Sequence, residues 1–527
     1  MQDHFDVVII GAGVTGLYTL HQLRQRGLSV RVIDDAPAVG GTWYWCRYPG
    51  CRFDSESPTY SYSFSDELLR EWDWTEQYSP QARTERYLNL VADRYDLRRD
   101  IELSRRVVST VWDAADHRWL VRTDDGRERT GRFLITAVGA LSACYVPPFE
   151  GLDSFTGQWC HTGRWPQQGL NVAGKRVGIV GAGATAVQIV PVIAPKVAQL
   201  TIFQRTPNYC VPLRNGPISD EQMARIKASY PDIFRICSET PHGFLHQADA
   251  RSALSLSREE RLAFFEKTWL LPGFAKFLAN FQDVMLPGPA NDEYSEFVRA
   301  KIRARVHDPE VAEKLIPRDH PFGSKRVPCE SGYYDVFNRD NVMLVDVKSS
   351  PIERITPTGL RTAQAEYPLD VIIFATGYDA VTGALNQIDV RGENGISLKE
   401  KFRNGPRTFM GLQSRGFPNL FTVNVAGARN TVRVMEPLVD WIVDCIAHLR
   451  TQGFNQISPT QESENAWTAH VIAATDGMLR SKTNSWYVGG NIPGKARFLL
   501  TTPDPAPTGR AQRAAIAASG YKGFELS

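Results

Sequence analysis

The sequence predicts an α/β protein built from two copies of one strand–turn–helix–strand unit, the second interrupted by a helical insertion. Three observations carry this. Val7-Val8-Ile9-Ile10 runs into Gly11-Ala12-Gly13-Val14-Thr15-Gly16, and Val177-Gly178-Ile179-Val180 runs into Gly181-Ala182-Gly183-Ala184-Thr185-Ala186. Each is the continuous apolar run of a buried parallel strand, then a glycine turn, then a helical pattern. Each helix leads to a second apolar strand, Val30-Arg31-Val32-Ile33 or Leu200-Thr201-Ile202-Phe203, which completes a βαβ unit. From about Ser219 to Asp319, by contrast, charged and apolar residues alternate at helical spacing with Pro and Gly between segments, and strand patterning is missing.

Further strands are expected at Arg132–Ala137, before Gly139, and at Val371–Phe374, before Ala375-Thr376-Gly377. Beyond about Lys399 the sequence reads as short strands, a helix around Pro437 to Arg450 and a Gly/Pro-rich end. The expected organisation is two Rossmann-like dinucleotide-binding domains, both discontinuous. Residues 1–143 and 374–527 form the first, residues 144–213 and 322–373 the second, and residues 214–321 the helical insertion within it.

Bulk properties narrow the function. A formal net charge of +2, from 60 basic and 58 acidic residues, leaves no electrostatic footprint for nucleic acid or an anionic membrane. No apolar run approaches the roughly 18 residues of a membrane helix, and the first strand begins without a basic leader. Eight scattered cysteines suit a reducing, cytoplasmic setting better than a disulfide framework, and no metal site is expected.

The glycine loops indicate ligands. A glycine turn between strand and helix lets the backbone approach a pyrophosphate, with free N–H groups of the helix N-terminus as donors. Gly11, Gly13 and Gly16 fill the turn, close-approach and helix-packing positions. Gly181 and Gly183 repeat the first two, with Ala184 and Thr185 following and Ala186 in the third place. Asp34 closes the second strand of the first unit, where a carboxylate accepts from ribose hydroxyls. At the matching place in the second unit stands Arg205, which cannot accept but pairs with a 2′-phosphate. Thr206 adds a hydroxyl. The opposed signs read as an FAD site followed by an NADPH site.

Two longer strings carry a resemblance. Phe155-Thr156-Gly157-Gln158-Trp159-Cys160-His161-Thr162-Gly163-Arg164-Trp165-Pro166 matches the FxGxxxHxxxWP fingerprint of type I Baeyer–Villiger monooxygenases. Gly40-Gly41-Thr42-Trp43-Tyr44-Trp45-Cys46-Arg47-Tyr48-Pro49-Gly50-Cys51-Arg52-Phe53-Asp54 resembles their GGxWYWxRYPGxxxD string. With Lys325-Arg326, Gly332-Tyr333-Tyr334 and Phe337–Val342, the likeness spans nearly the whole chain, nearest in look to the phenylacetone monooxygenase group. It implies a flavin-dependent monooxygenase in which NADPH reduces FAD, O2 adds at flavin C4a, and the peroxyflavin converts a ketone to an ester or lactone. By the same resemblance, Arg326 is the catalytic cation and Asp54 the carboxylate that orients it. Lys325 reinforces Arg205 at the 2′-phosphate. Thr15, Gly41, Thr42, Trp43, Tyr60 and Val107 fall on FAD positions, and Gln188 and Trp486 on NADP positions. The expected partners are a small ketone and O2, in a monomer or homodimer.

His161 sits within the fingerprint but on the connection between the two units, so a hydrogen-bonding or hinge role is expected. Three departures stand out. The segment Thr422–Asn430 reads about four residues shorter than in relatives, which reshapes the expected pocket. Arg429 within it and Arg433 just after it are expected to be solvated, the alternative being cations near the pocket. Thr501–Pro507 is expected as an irregular, exposed loop. Oxygenation of sulfur or nitrogen by the same chemistry is an alternative reading. A dithiol reductase using Cys46 and Cys51, which follow Gly40-Gly41-Thr42, is a remote one.

Overall fold

The computed structural model describes residues 3–423 and 429–527. One sheet takes β1 (His4–Ile10), β2 (Val30–Ile33), β3 (Ile101–Glu102), β4 (Val107–Asp113), β5 (Arg118–Thr123) and β6 (Glu128–Thr136). A second takes β7 (Gln158–His161), β8 (Arg176–Val180), β9 (Gln199–Gln204), β10 (Val342–Asp346) and β11 (Val371–Phe374). The chain then returns to the first sheet with β12 (Asp389–Arg391) and β13 (Leu420–Thr422). The orders are β12-β4-β5-β6-β1-β2-β3, with β13 also on β6, and β10-β9-β8-β11-β7. The second sheet is wholly parallel, whereas β4, β5 and β6 form an antiparallel meander.

Both glycine loops leave the carboxyl end of a central strand, where ligands of open α/β sheets bind. Gly11 and Gly181 have φ of 109° and 112°, and a Cβ on either would meet a carbonyl oxygen, Ala137 at 2.4 Å or Ala375 at 2.5 Å. Only glycine turns there. The helices that follow, α1 (Val14–Gln25) and α2 (Ala184–Ile193), begin on Gly13 and Gly183, so no side chain caps their first N–H groups.

The insertion is helical, as its patterning predicts: α3 (Asp220–Glu239), α4 (Arg258–Trp269), α5 (Pro289–Arg303) and α6 (Pro309–Leu315). Ser219 with Gln222 and Ser257 with Glu260 form reciprocal capping boxes that start α3 and α4. Among the described residues no helix is long and apolar enough to cross a membrane.

The C-terminal third departs from expectation in three places. The helix expected around Pro437 is α7 (Thr431–Gln452), which starts earlier because the Asn430 side chain accepts from the Arg433 N–H, leaving Pro437 inside it. Its inner face packs on α1, where the Tyr18 hydroxyl donates to Asp440 at 2.8 Å. The Gly/Pro-rich end is not irregular throughout. Besides α8 (Gln461–Thr475) it contains α9 (Ala506–Ala518), in which Pro507 occupies the first turn, where its missing N–H costs nothing. Finally, Thr501 is buried and Asp504 half-buried, so the 501–507 segment is not simply exposed.

Candidate active site

A cleft of ≈ 890 Å³ runs along the carboxyl ends of both sheets. On the first side it is lined by Gly11, Gly13, Thr15, Asp34, Gly41, Thr42, Trp43 and Tyr60. On the second side stand Gly181, Gly183, Ala184, Thr185, Gln188, Arg205 and Thr206. Asp54, Lys325, Arg326 and Trp486 line it as well. Two expected cofactor residues do not. Gly16 lies beneath the loop, where a Cβ would strike the Gly11 oxygen at 1.8 Å, so it serves helix packing. Val107 is the first residue of β4, and its buried side chain joins the core with Val8, Ile10 and Leu134, so only its backbone is placed to meet a cofactor.

The first loop fits an adenosine ribose and pyrophosphate. Asp34 accepts from the N–H groups of Ala12 (2.5 Å) and Ala36 (2.7 Å), which hold its carboxylate at the mouth of the uncapped helix. Burial pushes its pKa up to about 6 against those donors. The Trp43 indole donates to the Tyr60 hydroxyl at 2.8 Å and its ring stands edge-on to Phe53 and Tyr60, giving a rigid aromatic wall.

The second loop fits a 2′-phosphorylated dinucleotide. A Cβ on Gly183 would meet nothing within 4 Å, so the turn faces open cleft. Arg205 is exposed and has no carboxylate partner among the described residues. Lys325 lies near it. Burial, together with the Arg205 and Lys348 charges and against Asp319, holds the Lys325 ammonium below its ordinary pKa. Two cations at one edge, with only Asp319 beside Lys325 to oppose them, are complementary to a phosphate.

Between the loops lies an arginine–carboxylate pair. Arg326 stands on the return from the insertion, just before the short strand Cys329–Glu330 that pairs with Val211–Pro212. Its carbonyl accepts from Asn208 at 2.9 Å. Its Nη2 donates to Asp54 at 2.9 Å, and its guanidinium lies over the Phe274 ring, 5.0 Å from the centroid. The Arg326 side chain is 29% exposed against 5% for Asp54, so the cation keeps a face to the cleft while the carboxylate is behind it. Burial disfavours the charge on Arg326, and Asp54 more than offsets this, holding the guanidinium above its ordinary pKa. Burial raises the Asp54 carboxyl, opposed by Arg326 and the Cys329 N–H.

Asp54 reaches this position because the 46–54 loop lies on α2. Gly50 (φ 86°) touches that helix so closely that a Cβ would be 2.4 Å from the Gln188 oxygen. The Gln188 side chain then ties the loop down: it accepts from the Tyr48 hydroxyl (2.8 Å) and donates to the Arg52 carbonyl (3.0 Å), with Asp54 Oδ1 at 3.5 Å.

His161 is buried at the end of β7 and is not part of the cleft wall. Its Nδ1 accepts from the Gly163 N–H at 2.9 Å, its ring meets Tyr378 edge-on, and burial lowers its pKa to about 4. Cys46 and Cys51 are free and buried. The Cys46 sulfur lies 3.4 Å from the Tyr378 hydroxyl, and burial raises both thiols, the opposite of what a reactive dithiol needs. Nothing in this geometry favours the reductase alternative.

Several lining residues carry no motif. Phe244 and Phe274 come from the insertion, whose sequence advertises only helix. Tyr378 directly follows Ala375-Thr376-Gly377 and was within reach of that signal. Arg429 and Arg433 are a correction: neither is a free surface arginine. Arg433 is buried, pairs with Glu436 at 3.1 Å and lies over the Phe234 ring, while Arg429 is half-buried and lines the cleft. Of the shortened segment Thr422–Asn430, residues 424–428, Ala426 among them, lie outside the described residues.

Two glycine-loop sites facing one cleft, with a paired arginine between them, define an oxidoreductase that uses two dinucleotides, FAD and NADP(H). Comparison with known proteins specifies the class. Residues 9–72 match the NAD(P)-binding Rossmann-like domain. The chain is 43% identical over 540 residues to 2-oxo-Delta(3)-4,5,5-trimethylcyclopentenylacetyl-CoA monooxygenase of Pseudomonas putida, covering 99% of this chain and 98% of that one. It is 44% identical over 529 residues to acetone monooxygenase (methyl acetate-forming) of Gordonia sp. (strain TY-5), covering 99% of both. Against a Baeyer-Villiger monooxygenase of Pseudooceanicola batsensis the identity is 41% over 501 residues, covering 94% and 91%. A crystal structure of OTEMO in complex with FAD and NADP superimposes with a TM-score of 0.96 at 42% identity over 100% of both chains. The chain belongs to the Baeyer–Villiger monooxygenases. It is an FAD-dependent monooxygenase that takes its electrons from NADPH.

Proposed function

We propose that this protein inserts one atom of O2 beside the carbonyl of a small ketone, giving an ester or lactone, with Arg326 as the catalytic cation and Asp54 as the residue that positions it. The observation that carries this is the Arg326–Asp54 pair at 2.9 Å, buried on the carboxylate side and open to the cleft on the guanidinium side. FAD, when bound, accepts hydride from NADPH and activates O2 for transfer.

The chain's own residues do the rest. Gly11, Gly13 and the uncapped start of α1 cradle the flavin nucleotide's pyrophosphate, and Asp34 its ribose. Gly181, Gly183 and α2 do the same for NADP, with Arg205 and Lys325 on the 2′-phosphate. Arg326 cannot lose its proton near neutral pH, so it cannot serve as a base. It stabilises negative charge, including the charge that develops on the ketone oxygen when the carbonyl is attacked. Asp54 fixes the fork of that guanidinium and keeps it charged. Trp43, Phe53, Tyr60 and Phe274 make the surrounding wall apolar, which strengthens the field of Arg326 and limits water.

In this reading residues 1–143 and 374–527 hold the flavin, residues 144–213 and 322–373 hold NADP, and residues 214–321 supply Phe244 and Phe274 to the substrate side. Support comes from strand membership, since β12 and β13 rejoin the first sheet and β10 and β11 complete the second. Eight free cysteines support a reducing compartment. The test is a panel of linear, cyclic and aromatic ketones under oxygen-18, with product mass read directly. Label in an ester or lactone is the expected result; NADPH consumption without labelled product refutes the reading.

A further inference from the structure

Arg429 lines two cavities. One is the cleft; the other, of ≈ 140 Å³, lies between α7, α8, α9 and the 498–502 segment. Most of its wall is apolar or neutral, Trp467, Leu500 and Phe498 among it, and four arginines, Arg429, Arg433, Arg510 and Arg513, stand in it against a single carboxylate, Asp504.

The charges do not balance. Arg433 is neutralised by Glu436, and Asp504 accepts from His470 at 3.0 Å. Arg510 donates to the Ser238 carbonyl at 2.8 Å, and Arg429 to the carbonyls of Thr502 and Asp504. Among the described residues none of Arg429, Arg510 and Arg513 forms an ion pair with a carboxylate. Among the described residues the buried Arg513 Nε has no acceptor. Burial, with Arg480 and Arg513 as neighbours and Asp504 opposing, lowers Arg429 to about 10; burial, with Arg510 beside it, lowers Arg513 to about 10. Cations crowded into a poorly hydrated space cost free energy that a bound anion removes. The volume, roughly that of four to five waters, suits a carboxylate or phosphate group with a short carbon stem.

We propose that this cavity receives the anionic end of the substrate. The enzyme's ketone then has its carbonyl in the cleft at Arg326 and an apolar chain ending in carboxylate or phosphate among Arg429, Arg510 and Arg513. This rests on the ketone oxygenation proposed above and specifies its substrate class.

The experiment uses the FAD-loaded enzyme and a homologous series of linear methyl ketones ending in carboxylate, from levulinate upward, each beside its methyl ester. At one chain length the carboxylate exceeds its ester in kcat/KM by about tenfold or more, the range of one charge-assisted hydrogen bond. In Arg513→Gln that ratio falls to near one, and Arg513→Lys restores it in part. With NADP saturating, inorganic phosphate raises the Tm of the parent enzyme but not of Arg513→Gln, and it competes with the keto acid. A ratio near one at every length, or a ratio indifferent to Arg513→Gln, overturns the proposal. So does phosphate that accelerates turnover of the methyl ester without competing with the keto acid, which makes the cavity a site for a free anion. If neither acids nor esters are oxygenated, ketone oxygenation itself has failed, and the phosphate-dependent Tm shift decides the anion site separately.

Discussion

The Arg326 guanidinium donates to the Asp54 carboxylate at 2.9 Å although 272 residues separate them in sequence. One comes from the return out of the helical insertion and the other from a loop of the first unit pressed onto α2. Their meeting places a paired cation in the cleft that both glycine loops line.

Arg326→Ala is expected to leave flavin reduction by NADPH within a few-fold of the parent rate and to lower ester formation by about 10²–10³-fold or more, the scale of losing one preorganised charge stabiliser. Stopped-flow flavin absorbance and chromatographic product analysis separate the two steps. Ester formation at the parent rate would falsify the assignment.

Asp54→Asn keeps a hydrogen-bond acceptor beside Arg326 and removes its counter-charge. The expected loss in kcat is roughly ten- to hundredfold with little change in KM for the ketone. Asp54→Ala, which also frees the guanidinium fork, falls further. A KM effect alone would make Asp54 a pocket residue and not a positioning one.

At the other end of the cleft, Arg205→Ala is expected to raise KM for NADPH by about 10–100-fold while leaving KM for NADH nearly unchanged. Lys325→Ala acts in the same direction. Equal effects of Arg205→Ala on both coenzymes would remove the 2′-phosphate contact from the argument.

His161 titrates near pH 4 in the fold against 6.5 when free, because burial disfavours its cation. The unfolded chain therefore takes up this proton first as pH falls. Its contribution is intact above pH 6.5 and is lost progressively down to about pH 4, worth up to about 3 kcal/mol. Urea midpoints of the parent and His161→Gln are thus expected to converge over that window. A constant gap would mean the imidazole is not held neutral.

Gly50→Ala tests the packing of the 46–54 loop. The added Cβ conflicts with the Gln188 carbonyl, and φ of 86° disfavours a side chain. A loss of about 1–3 kcal/mol in stability is expected, with kcat lowered because Asp54 shifts. An unchanged Tm and kcat would show that the loop accommodates the change.

The parts legible in sequence were those set by local chemistry. Val7–Ile10 and Val177–Val180 could only be buried parallel strands. Gly11 and Gly181 stand at turns that exclude a side chain, and the opposed charges of Asp34 and Arg205 mark the ends of the two second strands without any need of tertiary context. The insertion's helices were visible for the same reason, in residue spacing and in Ser219 and Ser257. Val107 carries no such local signal, because the meander turns its side chain into the core. Pro437 misled because a cap at Asn430 and packing against α1 outweigh one lost hydrogen bond.

What the sequence by itself determined, then, was the two βαβ units, their order and the opposed charges that close their second strands, since strand burial, glycine φ and side-chain charge are properties of short segments. Only the tertiary structure decided that Arg326 is held by Asp54 and over Phe274, that His161 is sealed away from the cleft, and that Arg429 and Arg513 share a cavity short of negative charge. Those facts depend on which distant segments exclude water together, and the strength of a charge in a protein is set by that exclusion.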